Sequence, residues 1–170
     1  MINKTQNKNS NKLIIRIILS LFLFSSQNVF SQEKKPLIRP MTPNRSIEEC
    51  RKLVIEKGDT MAYSDLYWHF AKRNREADYF FYSLFMIEKY NYEEAYYWVY
   101  ASIVSFYGKN KIPLSGQALN LALEYLGQGA ELGVPNAQIE LGELYLKGKY
   151  MPQDTIKGAE LQAKGKQHYK

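Results

Sequence analysis

The chain has 170 residues, among them 23 basic and 17 acidic side chains, two histidines and one cysteine. This length suits one domain with a single hydrophobic core. A single cysteine excludes an internal disulfide, and so few histidines and cysteines disfavour a zinc site, which needs three or four convergent ligands.

Residues 1–31 predict a cleavable secretory signal peptide. This segment contains four basic residues and no acid. The basic residues precede an apolar run at 17–24, and small residues precede a cleavage point after Ser31. The alternative is a transmembrane anchor, but the stretch from Leu13 to Phe24 is only about a dozen residues long and is interrupted by Arg16, whereas a span needs roughly 20. We therefore expect no transmembrane span after cleavage, and a location in the bacterial periplasm or outside the cell.

Removal of this leader changes the charge of the chain. The net charge of +6 includes four leader cations, so the mature part has 19 basic and 17 acidic residues, or +2. No basic stripe of the kind that binds nucleic acid remains, and nucleic acid is excluded as a partner.

Residues 32–45 predict a disordered, Pro-rich tether, with prolines at 36, 40 and 43 and no apolar period. Ser46 followed by Glu49 then forms a capping box, which predicts the start of the folded domain, residues 46–170. Cys50 shares a face of this first helix with apolar residues, so we interpret it as a small buried side chain. An intermolecular bridge or a reactive thiol is the alternative.

The folded domain is predicted to be all-α, because apolar residues recur at spacings of three and four and never alternate over the length of a strand. The predicted helices cover 46–57, 59–72, 76–89, 92–107, 116–131, 135–147 and 154–168.

Three of these helices share a repeated pattern of residues, which we call the repeat frame. A small residue is followed by large apolar residues four and eight positions later, and a helix-stopping Gly or Asn stands four positions before it. The small residues are Ala62, Ala95 and Ala137, and the stoppers are Gly58, Asn91 and Gly133. The stoppers are 33 and 42 residues apart, which favours a short right-handed α-solenoid of about three helix pairs behind a leading cap helix.

The last third of the chain resembles the Sel1-like repeat, a relative of the tetratricopeptide repeat. The run 137–145, followed by Gly148 and Asp154, carries this resemblance, together with the segment 122–133. The resemblance implies an adaptor or scaffold that binds other proteins, often in bacterial envelope or signalling settings. Tyr67 and Tyr100 replace the close-packing glycine of this pattern in the two earlier repeats, so those helices are expected to sit further apart.

In the same pattern, Gly158 stands where the family prefers alanine. Glycine in a helix interior lowers intrinsic helix stability by roughly 1 kcal/mol, so a weaker last helix is expected.

Catalytic motifs are missing from the sequence, and we predict no enzyme activity, no metal and no cofactor. The adjacent acids at 48–49 and 93–94 fall in first helical turns, where carboxylates complement the helix dipole. An enzyme would need acidic side chains that converge in the groove, and the only candidates for that role are Asp65, Glu140 and Glu143.

The aromatic content is high, with 14 Tyr, 8 Phe and 2 Trp, and exceeds what one buried face per helix can hold. In a solenoid the first helix of each pair lines the concave surface, so the repeat frame predicts a groove centred on Trp68, Tyr97 and Trp98. Tyr and Trp beside charges are typical of interface hot spots. The predicted partner-binding residues are Asp65, Trp68, Lys72, Tyr97, Trp98, Glu140, Glu143 and Lys147.

These features predict an exported, non-catalytic scaffold that binds a protein or peptide ligand. The alternatives are a cell-wall or glycan-binding module, since exposed Trp and Tyr also stack on sugar rings, and an inhibitor of a secreted toxin. An uncovered apolar face on the last helix pair favours a homodimer, whereas the polar run 164–170 favours a solvated end.

Overall fold

The computed structural model describes residues 45–169, and this part of the chain is all-α. Seven α-helices and one 3₁₀ turn account for its regular structure, and none of the described residues forms a strand. The helices are α1 (Ile47–Lys57), α2 (Thr60–Ala71), α3 (Tyr79–Tyr90), α4 (Ala95–Lys109), α5 (Gly116–Glu131), α6 (Pro135–Lys147) and α7 (Thr155–Gln167), and the 3₁₀ turn (Glu76–Asp78) precedes α3. The predicted signal peptide and nearly all of the predicted tether lie outside the described residues.

All seven predicted helices are present, and the all-α fold class is confirmed for this part of the chain. Helices α5 and α6 have the predicted ends, while α3 and α4 begin at Tyr79 and Ala95 rather than at 76 and 92. The difference has a local cause, because the three residues before Tyr79 form the 3₁₀ turn and the residues before Ala95 form a hydrogen-bonded turn. None of the described helices combines the length and the apolar character that a membrane span requires.

Side-chain caps fix the starts of three helices. The Ser46 hydroxyl accepts a hydrogen bond from the Glu49 backbone N–H at 3.1 Å, which confirms the predicted start of α1. Asp59 and Asp154 cap α2 and α7 in the same way. Each of these caps satisfies an N–H group that has no partner within the helix.

The predicted helix stoppers are confirmed by their backbone conformation. Gly58, Asn91 and Gly133 have φ angles of 62°, 50° and 83°, in the left-handed region that Gly and Asn tolerate best. They reverse the chain after α1, α3 and α5, so that each following helix can return and pack against its predecessor.

The core runs along the helix array without a break between the helices. Each helix packs against the next one in the chain, α1 also touches α3, and α4 also touches α6. The three alanines of the repeat frame, Ala62, Ala95 and Ala137, are completely buried. These small side chains therefore stand where helices approach each other, as the frame predicts.

Helices α6 and α7 have a glycine-mediated contact. A Cβ atom added to Gly142 would lie 2.7 Å from the carbonyl oxygen of Gly158, and one added to Gly158 would lie 2.8 Å from the carbonyl oxygen of Gly142. A third glycine, Gly165, faces the carbonyl oxygen of Pro135 in the same way. The sequence predicted only that Gly158 weakens the last helix. In the structure this glycine also allows α7 to pack closely against α6.

Backbone contact between α2 and α3 is much sparser than between α6 and α7. Tyr67 occupies the position in α2 that corresponds to Gly142, and its ring packs against the ring of Tyr79. A ring cannot permit the backbone approach that glycine allows, so the difference agrees with the expectation from the sequence.

Replacement of Gly142 by alanine is expected to destabilise the protein by up to about 2 kcal/mol. Overpacking of a tight contact costs roughly 1–3 kcal/mol, and the better helix propensity of alanine offsets about 1 kcal/mol of that cost. The matched control is Gly127→Ala in α5, where an added Cβ would meet nothing within 4 Å. The control should stabilise by roughly 0.5–1 kcal/mol. Chemical denaturation followed by circular dichroism measures both changes, and equal effects of the two substitutions would contradict the packing described for α6 and α7.

Candidate functional site

Four aromatic residues on α2 and α4 form the candidate site, which we call the aromatic surface: Tyr67, Trp68, Tyr97 and Trp98. The rings of Tyr67 and Trp98 lie 4.4 Å apart between centroids and join the two helices. Trp68 packs edge-on against Tyr67 at 5.4 Å, and Tyr97 against Trp98 at 5.2 Å. Trp68 is 36% exposed and the other three are partly buried, so the rings form a connected row that solvent reaches.

The row rests on a buried aromatic residue, Tyr79, at the start of α3. Its ring is 1% exposed and contacts Tyr67 at 5.7 Å and Trp98 at 5.6 Å. It also stacks on the fully buried ring of Tyr63 at 4.5 Å. The inner edges of the surface rings are thereby fixed by the core, which limits the rotamers that they can adopt.

The buried hydroxyl groups beneath the surface satisfy one another. The Tyr63 hydroxyl donates to Ser83 Oγ at 2.8 Å, and Ser83 Oγ donates to the Tyr79 carbonyl oxygen at 2.9 Å. The Tyr79 hydroxyl donates to the Tyr63 carbonyl oxygen at 2.8 Å. Burial raises the pKa of both phenols above the ordinary value, so they remain neutral donors at physiological pH.

Tyr100 connects the aromatic surface to a carboxylate on α6. The rings of Tyr97 and Tyr100 lie 6.5 Å apart, and the Tyr100 hydroxyl donates to Glu140 Oε1 at 2.9 Å. Burial raises the pKa of Tyr97 to about 12, and the negative charge of Glu140 adds to the increase. Tyr100 therefore links the ring of Tyr97 to the carboxylate of Glu140.

A C-terminal tyrosine borders this side of the surface. The Tyr169 hydroxyl donates to Asn136 Oδ1 at 2.8 Å, at the start of α6. Tyr169 is also among the groups whose charge contributes to the raised pKa of Tyr97. Its own side chain is half exposed.

The other predicted binding residues on α6 form an ion pair at the protein surface. Lys147 bonds to the carboxylate of Glu143 one helical turn earlier. The hydrogen bond with Lys147 lowers the pKa of Glu143, and the same bond raises the pKa of Lys147. Because the pair faces solvent, it contributes little to stability. Lys72, just after α2, is also exposed.

Asp65 is the predicted binding residue that the structure places elsewhere. Its side chain is only 2% exposed, and Oδ2 lies 3.6 Å from Nη1 of Arg45. Arg45 is also 3.7 Å from the carboxylate of Asp59, which caps α2. A partner cannot reach Asp65, so the expectation that it lines the groove is wrong. Its burial is stabilised by an opposite charge, as buried carboxylates require.

Sequence reasoning also missed two residues of the site. Tyr67 and Tyr100 were interpreted only as replacements for a packing glycine, but Tyr67 joins α2 to α4 and Tyr100 joins α4 to α6. Their shared position in the repeat frame was the available signal, because a large ring at a helix contact must reach towards a neighbouring helix.

Among the described residues, no group of three His, Cys, Asp or Glu side chains is arranged to hold a metal ion. His69 Nε2 lies 2.9 Å from the carbonyl oxygen of Arg45 and has a structural hydrogen bond. The aromatic surface consists of rings, and the carboxylate of Glu140, bonded to Tyr100, lies outside it.

Cys50 is completely buried in α1. Burial raises the pKa of its thiol to about 11, and the nearby carboxylate of Asp65 adds to the increase. An intermolecular disulfide would need an accessible thiolate, so this geometry supports the interpretation of Cys50 as a small core residue.

A scan against protein-family models, a search of curated proteins and a search of solved structures each gave no match. The resemblance to the Sel1-like repeat therefore remains a prediction that depends on the residues of the last third of the chain.

The thiol of Cys50 is expected to resist labelling by iodoacetamide at pH 8 while the protein is folded. A thiol with a pKa of about 11 has roughly 100-fold less thiolate at this pH than one with a pKa near 9, and burial blocks access as well. Mass spectrometry should show rapid labelling only after guanidinium is added. Rapid labelling of the folded protein, at the rate of a free cysteine, would contradict the buried position of this residue.

Proposed function

We propose that this protein is an exported, non-catalytic scaffold that binds a protein or peptide through the aromatic surface. The observation that carries the proposal is the connected row of rings from Trp68 to Tyr97, which is anchored in the core and reached by solvent. Exposed aromatic residues that are already held in place lose little conformational entropy when they bind, so they are effective interface anchors.

The proposed architecture is a short right-handed α-solenoid. Three features support it: the packing of each helix on the next, the contacts between α1 and α3 and between α4 and α6, and the confirmed helix stoppers of the repeat frame. In such an array α2, α4 and α6 line one surface. The aromatic surface, Glu140 and the Glu143–Lys147 pair belong to those three helices.

The charges around the rings favour a polypeptide as the partner. Glu140 and the Glu143–Lys147 pair lie on one side of the rings, and the exposed Lys72 lies just beyond Trp68 on the other. A row of aromatic anchors between charged ends fits an extended peptide segment or a protein edge, for which rim charges set orientation and specificity. The leader predicted at residues 1–31 supports a partner in the bacterial envelope or outside the cell.

Replacement of Trp68 by alanine is expected to abolish partner binding with little effect on stability, because this side chain projects from the surface. A hot-spot tryptophan contributes about 2 kcal/mol or more, which corresponds to at least roughly 30-fold in affinity. The matched control is Phe81→Ala on α3, whose ring is 65% exposed and lies outside the aromatic surface. A photo-crosslinking amino acid at position 64, which is partly exposed one helical turn before Trp68 on α2, is introduced into a tagged copy in the native envelope and reports the bound partner by mass spectrometry.

The crosslinked partner should be lost with Trp68→Ala and retained with Phe81→Ala, while circular dichroism shows both variants folded. Retention of the same partner by the Trp68 variant would overturn the assignment of this surface. Sedimentation of the wild-type protein with purified sacculi, lost with Trp68→Ala and without any crosslinked protein, would establish the cell-wall or glycan-binding alternative instead.

A further inference from the structure

Glu140 has an unusual position among the acids of the described residues, because it stands beside the aromatic surface and bonds to a neutral group. It lies on α6 and is partly buried, and Oε1 accepts a hydrogen bond of 2.9 Å from the hydroxyl of Tyr100. Tyr100 is only 4% exposed, so this bond comes from a rigid neighbour. The bond orients the carboxylate without neutralising its charge.

The charge of Glu140 is not compensated by an ion pair with any described residue. Lys147 lies close enough for Glu140 to make a small contribution to its raised pKa, but the lysine ammonium bonds to Glu143. Partial burial strengthens the field of an uncompensated carboxylate, because less water is present to screen it. Glu140 thus provides an oriented negative charge at the end of the row of rings.

The ring of Tyr97 and this carboxylate both neighbour Tyr100. It is partly buried, packs edge-on against Trp98 at 5.2 Å and lies 6.5 Å from the ring of Tyr100. The face of an aromatic ring attracts cations, and a carboxylate next to it adds a charge-assisted hydrogen bond to the same group. A side chain that carries a positive charge on an apolar stem could contact the ring face and bond to the carboxylate at the same time.

We propose that Glu140 and the ring of Tyr97 form a subsite for a lysine or arginine side chain of the bound peptide, and that Tyr100 is the positioning residue for the Glu140 carboxylate. This inference rests on the proposed function, since the subsite lies at one end of the aromatic surface. It adds a sequence requirement to the partner: a basic residue next to the segment that contacts Trp98.

The test is a selection of random peptides displayed on phage against the purified full chain, the Glu140→Gln variant and a matched control, Glu160→Gln. Glutamine keeps an acceptor for the Tyr100 hydroxyl while it removes the charge. Glu160 is an exposed acid on α7 and is not one of the residues assigned to the binding surface. One enriched peptide is then synthesised with its basic residue intact and with citrulline or norleucine in its place, and affinities are measured by fluorescence polarisation.

We expect peptides selected by the wild type and by the Glu160 variant to be enriched in lysine or arginine, and those selected by the Glu140 variant to lack this enrichment. Neutralisation of the basic residue should weaken binding to the wild type about tenfold or more and have little effect on the Glu140 variant. Binding without any preference for a basic residue, or an equal preference in the Glu140 variant, would overturn the subsite and leave the proposed function intact. Absence of any selected peptide would overturn both.

Discussion

The packing of Tyr79 against rings from two other helices, stacked on Tyr63 and edge-on to Trp98, is the contact on which the described structure most depends. This buried residue, at the start of α3, lies 4.5 Å from Tyr63 on α2 and 5.6 Å from Trp98 on α4, measured between ring centroids. Backbone contact between α2 and α3 is sparse, and these two helices are held together by aromatic area and by buried hydroxyl groups that are all hydrogen-bonded. The same rings fix the inner edges of Tyr67 and Trp98, and the candidate binding surface is therefore a direct extension of the core.

The last two helices of the domain pack through glycines and not through rings. Gly142 and Gly158 let the backbones of α6 and α7 approach so closely that an added Cβ at either position would lie under 3 Å from a carbonyl oxygen. A helix pair packed in this way needs no large rings, and α6 instead presents Glu140 and the Glu143–Lys147 pair towards its neighbours and the solvent. The candidate site combines both modes of packing, because rings fixed by the first half meet charges displayed by the second.

Local physical chemistry explains why the helices could be predicted from the sequence. Apolar spacing, side-chain caps and left-handed stoppers act within a few residues, so Ser46, Gly58 and Asn91 identify helix ends without knowledge of the fold. Contacts between distant residues could not be predicted in this way. The carboxylate of Asp65 occupies a position that the repeat frame assigns to the groove, yet Arg45, twenty residues earlier, meets it in a buried ion pair. Similarly, only the fold places Tyr79 beneath Trp98, which explains why Trp98 is more buried than Trp68.

The central claim is that the rings of the aromatic surface are fixed on one side by the core and open to solvent on the other. The two tryptophans of the chain both belong to this surface, so the variants Trp98→Phe and Trp68→Phe each leave one fluorophore there. Quenching by iodide, measured in the folded state and again in guanidinium, tests the claim most directly. The account predicts ready quenching of Trp68 in the folded protein, weaker but measurable quenching of Trp98, and an increase for both on unfolding. Complete protection of both tryptophans in the folded state, or equal quenching of Trp98 before and after unfolding, would contradict it.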